Sequence, residues 1–232
     1  MLITDPWPLI PDPSPMIDLH THSLYSDGEL IPAELWRRAQ VKGYRFLAIT
    51  DHVDASNFEM VFNFLKTAAL SLNRGEPPYL IPGLEFTHLP PSQIAPLAAQ
   101  ARTLGVPLIV VHGETLAEPV APGTNRAALL ADIDILAHPG LITPEEAALA
   151  RDRGIVLEIS TRKGHSLANG HVAQVARQVG AGLILNTDSH SPGDLVNRKQ
   201  AERIAQGAGL SPAEVQTLFT NSEALARRVA GL

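Results

Sequence analysis

Seven short apolar runs, each separated from the next by a stretch that reads as helix, limit how this chain can fold. The runs occupy 16–19, 46–49, 79–84, 108–111, 133–137, 155–159 and 182–186. Uninterrupted apolar segments of strand length that alternate with helices call for a parallel sheet covered on both faces. The helices are expected over 32–39, 58–72, 94–104, 125–131, 144–153, 172–179, 195–206 and 212–230, the last broken near Asn221. Pro32 and Pro144 stand at first helical positions, Thr143 is placed to cap, and Gly43, Gly105 and Gly154 end their helices.

A closed barrel and an open doubly wound sheet share this alternation. The residues that follow the runs distinguish them. His20 and His22 follow the first run, His52 the second, Glu85 the third, His112 the fourth and His138 the fifth. The sixth runs into the polar loop 160–165, and the seventh into Asp188 and His190. All the strand ends of an α/β barrel converge on one mouth, where active sites lie, whereas an open sheet gathers only the few ends near its switch point. The barrel is therefore expected.

The 232 residues are 45% hydrophobic and 18% charged, enough for one large α/β domain. No linker or repeat divides 16–232, and the first fifteen residues, with five prolines, read as an extended lead-in. The absence of cysteine excludes disulfides, thiolate zinc sites and a cysteine nucleophile, and suits a cytoplasmic protein. No run approaches the ~18–20 apolar residues that span a bilayer. A net charge of −6 argues against broad binding to duplex DNA or anionic membrane, so nucleic acid is expected only as a substrate. An anionic substrate would need a local positive centre, which bound metal ions would supply.

His20, His22, Asp27, His52, Glu85, His112, His138, Asp188 and His190 form the candidate ligand set. Six of the chain's nine histidines follow apolar runs directly. His20-x-His22 and Asp188-x-His190 each aim two donors the same way, because strand side chains repeat every two residues. Nine nitrogen and oxygen donors exceed what one ion needs, so two or three divalent ions are expected. Imidazole with carboxylate suits Zn, Mn or Fe. Glu85, alone on its strand, is the natural bridging carboxylate. Two ions ~3.5–4 Å apart can activate a water and clamp an in-line displacement at phosphorus. Glu85, Asp188 and His190 are thus the expected catalytic residues.

The pieces DLHTHS at 18–23, SDG at 26–28, TDH at 50–52, PGLE at 82–85, HG at 112–113, AHPG at 137–140 and NTDSH at 186–190 resemble the polymerase and histidinol phosphatase (PHP) family of metal-dependent phosphoesterases. The resemblance implies a distorted (β/α)7 TIM-like barrel with a trinuclear centre at its mouth. It implies one ion on His20, His22, Glu85 and Asp188, and a second on Glu85, His112 and His138. Asp27, His52 and His190 would hold the third. Some relatives carry histidine at the position of Asp27. The implied activity is phosphoester hydrolysis of a small phosphorylated metabolite, histidinol phosphate being the first candidate. Nucleotide, cyclic-phosphate or oligonucleotide diesters are the alternative within the family. An RNA-binding subunit like the barrel protein of ribonuclease P is a further one, against which the acidic charge and complete ligand set both count. An amidohydrolase, which also uses His-x-His in a barrel, commonly bridges its metals through a lysine after strand four, and none follows here.

Outside the ligand set, Arg162 and Lys163 follow the sixth run and are candidates to clamp substrate phosphate. Arg126 stands at an expected helix start, where free N–H groups favour anions. His165 is a candidate to contact substrate and protonate the leaving group.

Overall fold

The computed structural model describes residues 15–232, so the expected lead-in lies outside the described residues except for Pro15. The strands are β1 (Met16–Asp18), β2 (Tyr44–Ile49), β3 (His52–Val53), β4 (Tyr79–Phe86), β5 (Leu108–His112), β6 (Ile135–Ala137), β7 (Val156–Ser160) and β8 (Leu183–Asn186). They form one parallel sheet in the order β1-β2-β4-β5-β6-β7-β8. β3 is an eighth strand by count but not an eighth stave. β2 pairs with the first half of β4, from Phe46↔Tyr79 to Ile49↔Pro82, and β3 pairs with its second half through His52↔Glu85 and Val53↔Phe86. Thr50 and Asp51 interrupt what is otherwise one strand.

Side-chain alternation divides the core into two layers. Ile17, Leu19, Phe46, Ala48, Ile81, Leu108, Val110, Ile135, Ala137 and Ile184 fill the barrel interior, joined by Leu225 and Ala226 of the last helix. Their neighbours Leu47, Ile49, Leu80, Ile109, Val111, Leu136, Leu157 and Leu185 pack outward under the helices. The period of two continues beyond the apolar layer. Glu85 follows Ile81, His112 follows Val110, and Asn186 and Asp188 follow Ile184 on the inward side.

The seam between β1 and β8 explains the distortion. No strand ladder joins them. A single bridge, Thr21↔Ser189, closes the mouth, with Asp188 N donating to His20 O at 2.9 Å and His22 N to Ser189 O at 2.8 Å. Lower down, side chains replace the ladder. Leu19 N donates to Asn186 Oδ1 at 2.8 Å, and buried Asp18 accepts from Thr187 N and Oγ1. The barrel is thus nearly closed, and the residues that close it are the two motifs that carry the paired ligand candidates.

Among the described residues, eight α-helices cover the outside: α1 (Pro32–Val41), α2 (Phe58–Leu72), α3 (Pro91–Leu104), α4 (Thr124–Leu130), α5 (Pro144–Arg153), α6 (Asn169–Val179), α7 (Arg198–Gly207) and α8 (Pro212–Ala230). Thr143 caps α5 as expected, accepting from Glu146 N at 3.2 Å. Several helix bounds differ from expectation: α3 begins at Pro91 and α6 at Asn169, each three residues early, and two further differences have a visible local cause. α7 begins at Arg198 rather than 195, because Asn197 and Gln200 exchange side chain-to-backbone bonds in a capping box. α8 is unbroken, because Asn221 Nδ2 donates sideways to Leu183 O at 3.0 Å instead of competing for its own helix backbone. No described helix is long and apolar enough to cross a membrane.

Candidate metal centre

The strand ends converge on a pocket of about 200 Å³, lined by Asp27, His52, Thr87, His88, His112, Glu118, Arg162, His165, Asp188 and His190. His20, His22, Glu85 and His138 lie beneath it, buried. All nine candidate ligands are therefore gathered at one end of the barrel.

Glu85 is central and has no exposed surface. Its Oε1 lies 3.3 Å from His20 Nε2 and 3.8 Å from His138 Nε2. Its Oε2 lies 3.5 Å from His22 Nε2 and 2.7 Å from His52 Nδ1. Asp188 has the same two-sided form, with Oδ1 3.1 Å from His22 Nε2 and Oδ2 3.8 Å from His138 Nε2. The outer group is equally tight: His190 Nε2 is 3.1 Å and His52 Nε2 3.4 Å from Asp27 Oδ1.

The backbone around these residues is held by specific contacts. Asp51 accepts from Ser23 N, Ser23 Oγ and Ser26 Oγ at 2.6–2.7 Å, which fixes the loop that carries Asp27. A Cβ on Gly28 would overlap the His22 carbonyl, and one on Gly113 the Ala137 carbonyl, so both loops pass too close for any other residue. His138 and Asp188 occupy left-handed backbone, with φ of 28° and 50°. Non-glycine residues pay on the order of 1–2 kcal/mol there, and such strain collects at functional sites.

The donor chemistry fits divalent ions. His20 Nε2, both ring nitrogens of His22, Glu85 Oε1, His138 Nδ1 and Asp188 Oδ1 are buried without a hydrogen-bond partner. Leaving so many buried polar atoms unpaired is costly unless a cation satisfies them. Ring tautomers agree with this. His20 Nδ1 lies 2.7 Å from Glu158 Oε2, and His190 Nδ1 lies 2.9 Å from Asp188 O. Both partners only accept, so each Nδ1 carries a proton and each Nε2 faces the centre. Burial opposes a second proton on His20, yet Glu85, Glu158 and Asp188 hold that ring well above the usual imidazole pKa, so a bound ion would take the place of the proton on its Nε2. Burial, with His52 beside His22 and His112 beside His138, holds those two rings well below the usual imidazole pKa, in the neutral ligating form. Burial opposes the charge of Glu85, yet His20 and His52 hold its carboxyl well below the usual range. Burial, with Glu85 and Glu158 nearby, pushes Asp188 up to about 7 despite His20.

Glu158 and Glu118 carry no role in the sequence reading. Glu158 is fully buried on β7 and bonded to His20 and to Asn186 Nδ2, which makes it a positioning carboxylate. A carboxylate at the back of a ligating histidine typically contributes ~10–100-fold to metal affinity. Glu158→Ala is expected to lose about that factor in a chelator competition, and wild-type affinity would remove its orienting role. Glu118 reaches in from the loop after β5, and the His112 ring beside it holds its carboxyl down at about 2.

The four expected substrate contacts divide evenly. Arg162 lines the pocket, with Nη1 3.2 Å from Asp188 O and Nε 3.6 Å from Asp188 Oδ2. His165 is buried at the mouth, stacked on His138 at 4.0 Å, with Nδ1 2.7 Å from Thr115 Oγ1. Lys163 is exposed outside the lining, because the turn closed by Ser166 N on Arg162 O directs it outward. Arg126 is also exposed and outside it. Its neighbour Asn125 is the side chain facing inward, bonded to Glu114 N and Pro139 O.

An α/β barrel with buried imidazoles and carboxylates gathered at its mouth defines a class of metal-centred barrel proteins. The comparisons place the chain within that class. The PHP domain model matches residues 18–113. The chain is 44% identical over 215 residues to the uncharacterized protein MJ1295 of Methanocaldococcus jannaschii, covering 91% of this chain and 99% of that one. It is 28% identical over 203 residues to a "probable phosphatase" of Shewanella sp. strain ANA-3, covering 75% and 76% respectively. A chain from a cryo-EM structure of archaeal ribonuclease P with mature tRNA shares the fold at a TM-score of 0.67. That match has 16% identity over 94% of this chain and 92% of the other. This protein belongs to the PHP family.

Proposed function

We propose that this chain is a metal-dependent phosphoester hydrolase that acts on a small phosphorylated metabolite, with histidinol phosphate the first substrate to test. The observation that carries the reading is the set of buried, unpartnered nitrogen and oxygen atoms on the side chains gathered around Glu85 and Asp188. The nine-residue set would hold two or three ions, and its mixture of imidazole and carboxylate favours Zn, Mn or Fe. When bound, such ions supply Lewis acidity and a water activated for attack at phosphorus.

The chain's own groups account for binding and orientation. Arg162 presents its guanidinium at the pocket wall beside Asp188, where it would hold a phosphate oxygen. His165, with Nδ1 engaged by Thr115, directs Nε2 to within 3.6 Å of Asp188 Oδ2, where a leaving-group oxygen could meet it. The buried floor of His20, His22, Glu85 and His138 excludes bulk water from beneath the reacting phosphorus. A pocket of about 200 Å³ is below the ~300–1,000 Å³ of sites for drug-sized ligands. It suits a small monoester better than the interior of an oligonucleotide. A cytoplasmic location, expected from the cysteine-free composition, is part of the same reading.

The test is phosphate release by the metal-loaded protein across histidinol phosphate, sugar phosphates, mononucleotides, cyclic phosphates and short oligonucleotides. A preferred monoester is the expected result. Activity confined to cyclic phosphates or oligonucleotides would transfer the protein to the diesterase branch, and inactivity against all of them would reject hydrolysis. Arg162→Ala is expected to lower kcat/KM by about ten- to hundredfold, the worth of a charged hydrogen bond. Unchanged kinetics would place Arg162 outside the substrate's reach.

A further inference from the structure

Glu118 lines the pocket but stands outside the nine-residue set, and three imidazoles point at it. Its Oε2 lies 3.1 Å from His88 Nε2 and 3.1 Å from His112 Nε2, and its Oε1 lies 3.4 Å from His165 Nε2. The rings come from three separate places, the loop after β4, the last residue of β5 and the segment after β7, yet all turn the same nitrogen toward one carboxylate.

His88 Nε2 can donate to Glu118 Oε2 as an ordinary hydrogen bond, but the contact with His112 is one that a neutral ring cannot make. His112 Nδ1 lies 3.1 Å from the Gly113 carbonyl, which can only accept. In a neutral ring that contact takes the single N–H, so the Nε2 lone pair faces a carboxylate oxygen that is itself an acceptor. A cation between the two satisfies both, whereas without one the contact needs a second proton on a buried ring. The spacing agrees: donors bound at ~2.0–2.2 Å to one tetrahedral or octahedral ion lie about 3.0–3.5 Å apart. The loop that delivers Glu118 is also held in place. Glu114 Oε1 accepts from Gly123 N at 3.0 Å and Asn125 N at 2.9 Å, and Thr115 N donates to Gly113 O.

We infer that Glu118, together with His88, adds donors to a divalent ion held by His112, extending the centre beyond the nine residues that the family motifs supply. The inference rests on the proposed metal centre and concerns its composition. Glu118 is 39% exposed by side chain and sits on a surface loop, so its replacement leaves the barrel core untouched. The carboxylate closes the outer side of the centre, beside the opening through which substrate enters.

The experiment strips the wild type, Glu118→Ala, Glu118→Gln and His88→Ala of metal and reloads each with Zn²⁺ or Mn²⁺. It then measures ions per chain and the chelator concentration that removes half of them. Co²⁺ loading gives an independent reading through its visible absorption, which reports coordination. The expected result is that Glu118→Ala and Glu118→Gln each lose one ion or release it at least tenfold more readily. The Co²⁺ spectrum should change, and thermal unfolding of the metal-free forms should match the wild type. Wild-type retention in both variants would overturn the inference. So would rescue by Glu118→Gln, because an amide keeps a hydrogen-bond acceptor but ligates poorly. A wild type that binds no ion would overturn the proposed centre itself, and the inference with it. A wild type that loads fully beside variants that also load fully would overturn only the role of Glu118.

Discussion

Replacing Glu85 with glutamine is expected to lower kcat/KM by at least about a thousandfold, equivalent to ~4 kcal/mol of transition-state stabilisation. The same variant should hold fewer ions per chain than the wild type. Glutamine reproduces the shape of the side chain, so the fully buried site should not collapse. It removes the charge that four imidazoles share: His20 and His138 on one oxygen, His22 and His52 on the other. Among the described residues, no other carboxylate touches that set in the same way. Asp188 reaches His20, His22 and His138, but it comes from the opposite side of the seam, beside His165 and Arg162. Metal content and steady-state kinetics on the same preparation check the prediction. A Glu85→Gln protein with full occupancy and full turnover would remove the bridging role.

Gly140→Ala should cause the largest loss of stability of any single methyl addition in the site's loops. Gly140 combines a φ of 60° with close approach, because a Cβ there would overlap the carbonyl oxygen of Glu114. The backbone of the loop after β5 would have to move away from the loop after β6, disturbing His138 and Glu118 together. About 3 kcal/mol is expected, the scale of a strained residue plus enforced displacement, or a Tm lower by about 6–12 °C. Gly154→Ala is the control. Gly154 has a φ of 68° but open space around it, so alanine should cost only the conformational strain of about 1 kcal/mol. Thermal unfolding of the metal-free proteins decides between them. Equal losses would show that backbone conformation alone, and not the approach of Glu114, fixes this glycine.

The fold was legible where burial and sequence period coincide. The apolar runs predict the staves, and the residue after each run marks the mouth, because a parallel barrel exposes only its strand ends to function. The inward alternation that places Ile17, Phe46, Ile81 and Val110 inside also carries Glu85, His112 and Asp188 into the centre. Features that depend on one local hydrogen bond were harder to read. The capping box at Asn197 has an Asn-x-x-Gln signature that sets the start of α7, yet the apolar pattern alone suggested an earlier one. β3 exists only because its neighbour β4 is long enough to pair with both sides of a break.

The site divided similarly. Glu158 could have been found as a carboxylate in the middle of an otherwise apolar buried strand, since such a group needs a partner. The sequence does not identify that partner, as His20 lies 138 positions away. Glu118 had no comparable signal. It lies in a loop containing Pro119, Pro122 and Gly123, with no strand period to aim it, and only the folded loop brings it against three histidines. Arg126 and Lys163 lie outside the pocket lining for the opposite reason. Their charge and loop position drew attention, but the turns that hold Asn125 and Arg162 inward direct their neighbours out.

On the proposed function, phosphoester hydrolysis depends on ions gathered around Glu85 and Asp188. The most direct measurement removes all metal from the protein and returns Mn²⁺ or Zn²⁺ in stepwise equivalents. At each step, bound ions per chain and phosphate release from the preferred substrate are recorded. No turnover is expected in the stripped protein, with activity rising as the second equivalent binds and reaching a plateau at two to three ions per chain. Turnover that persists without metal, or a protein that fills with ions yet releases phosphate from none of the phosphoester classes, would contradict the proposed function.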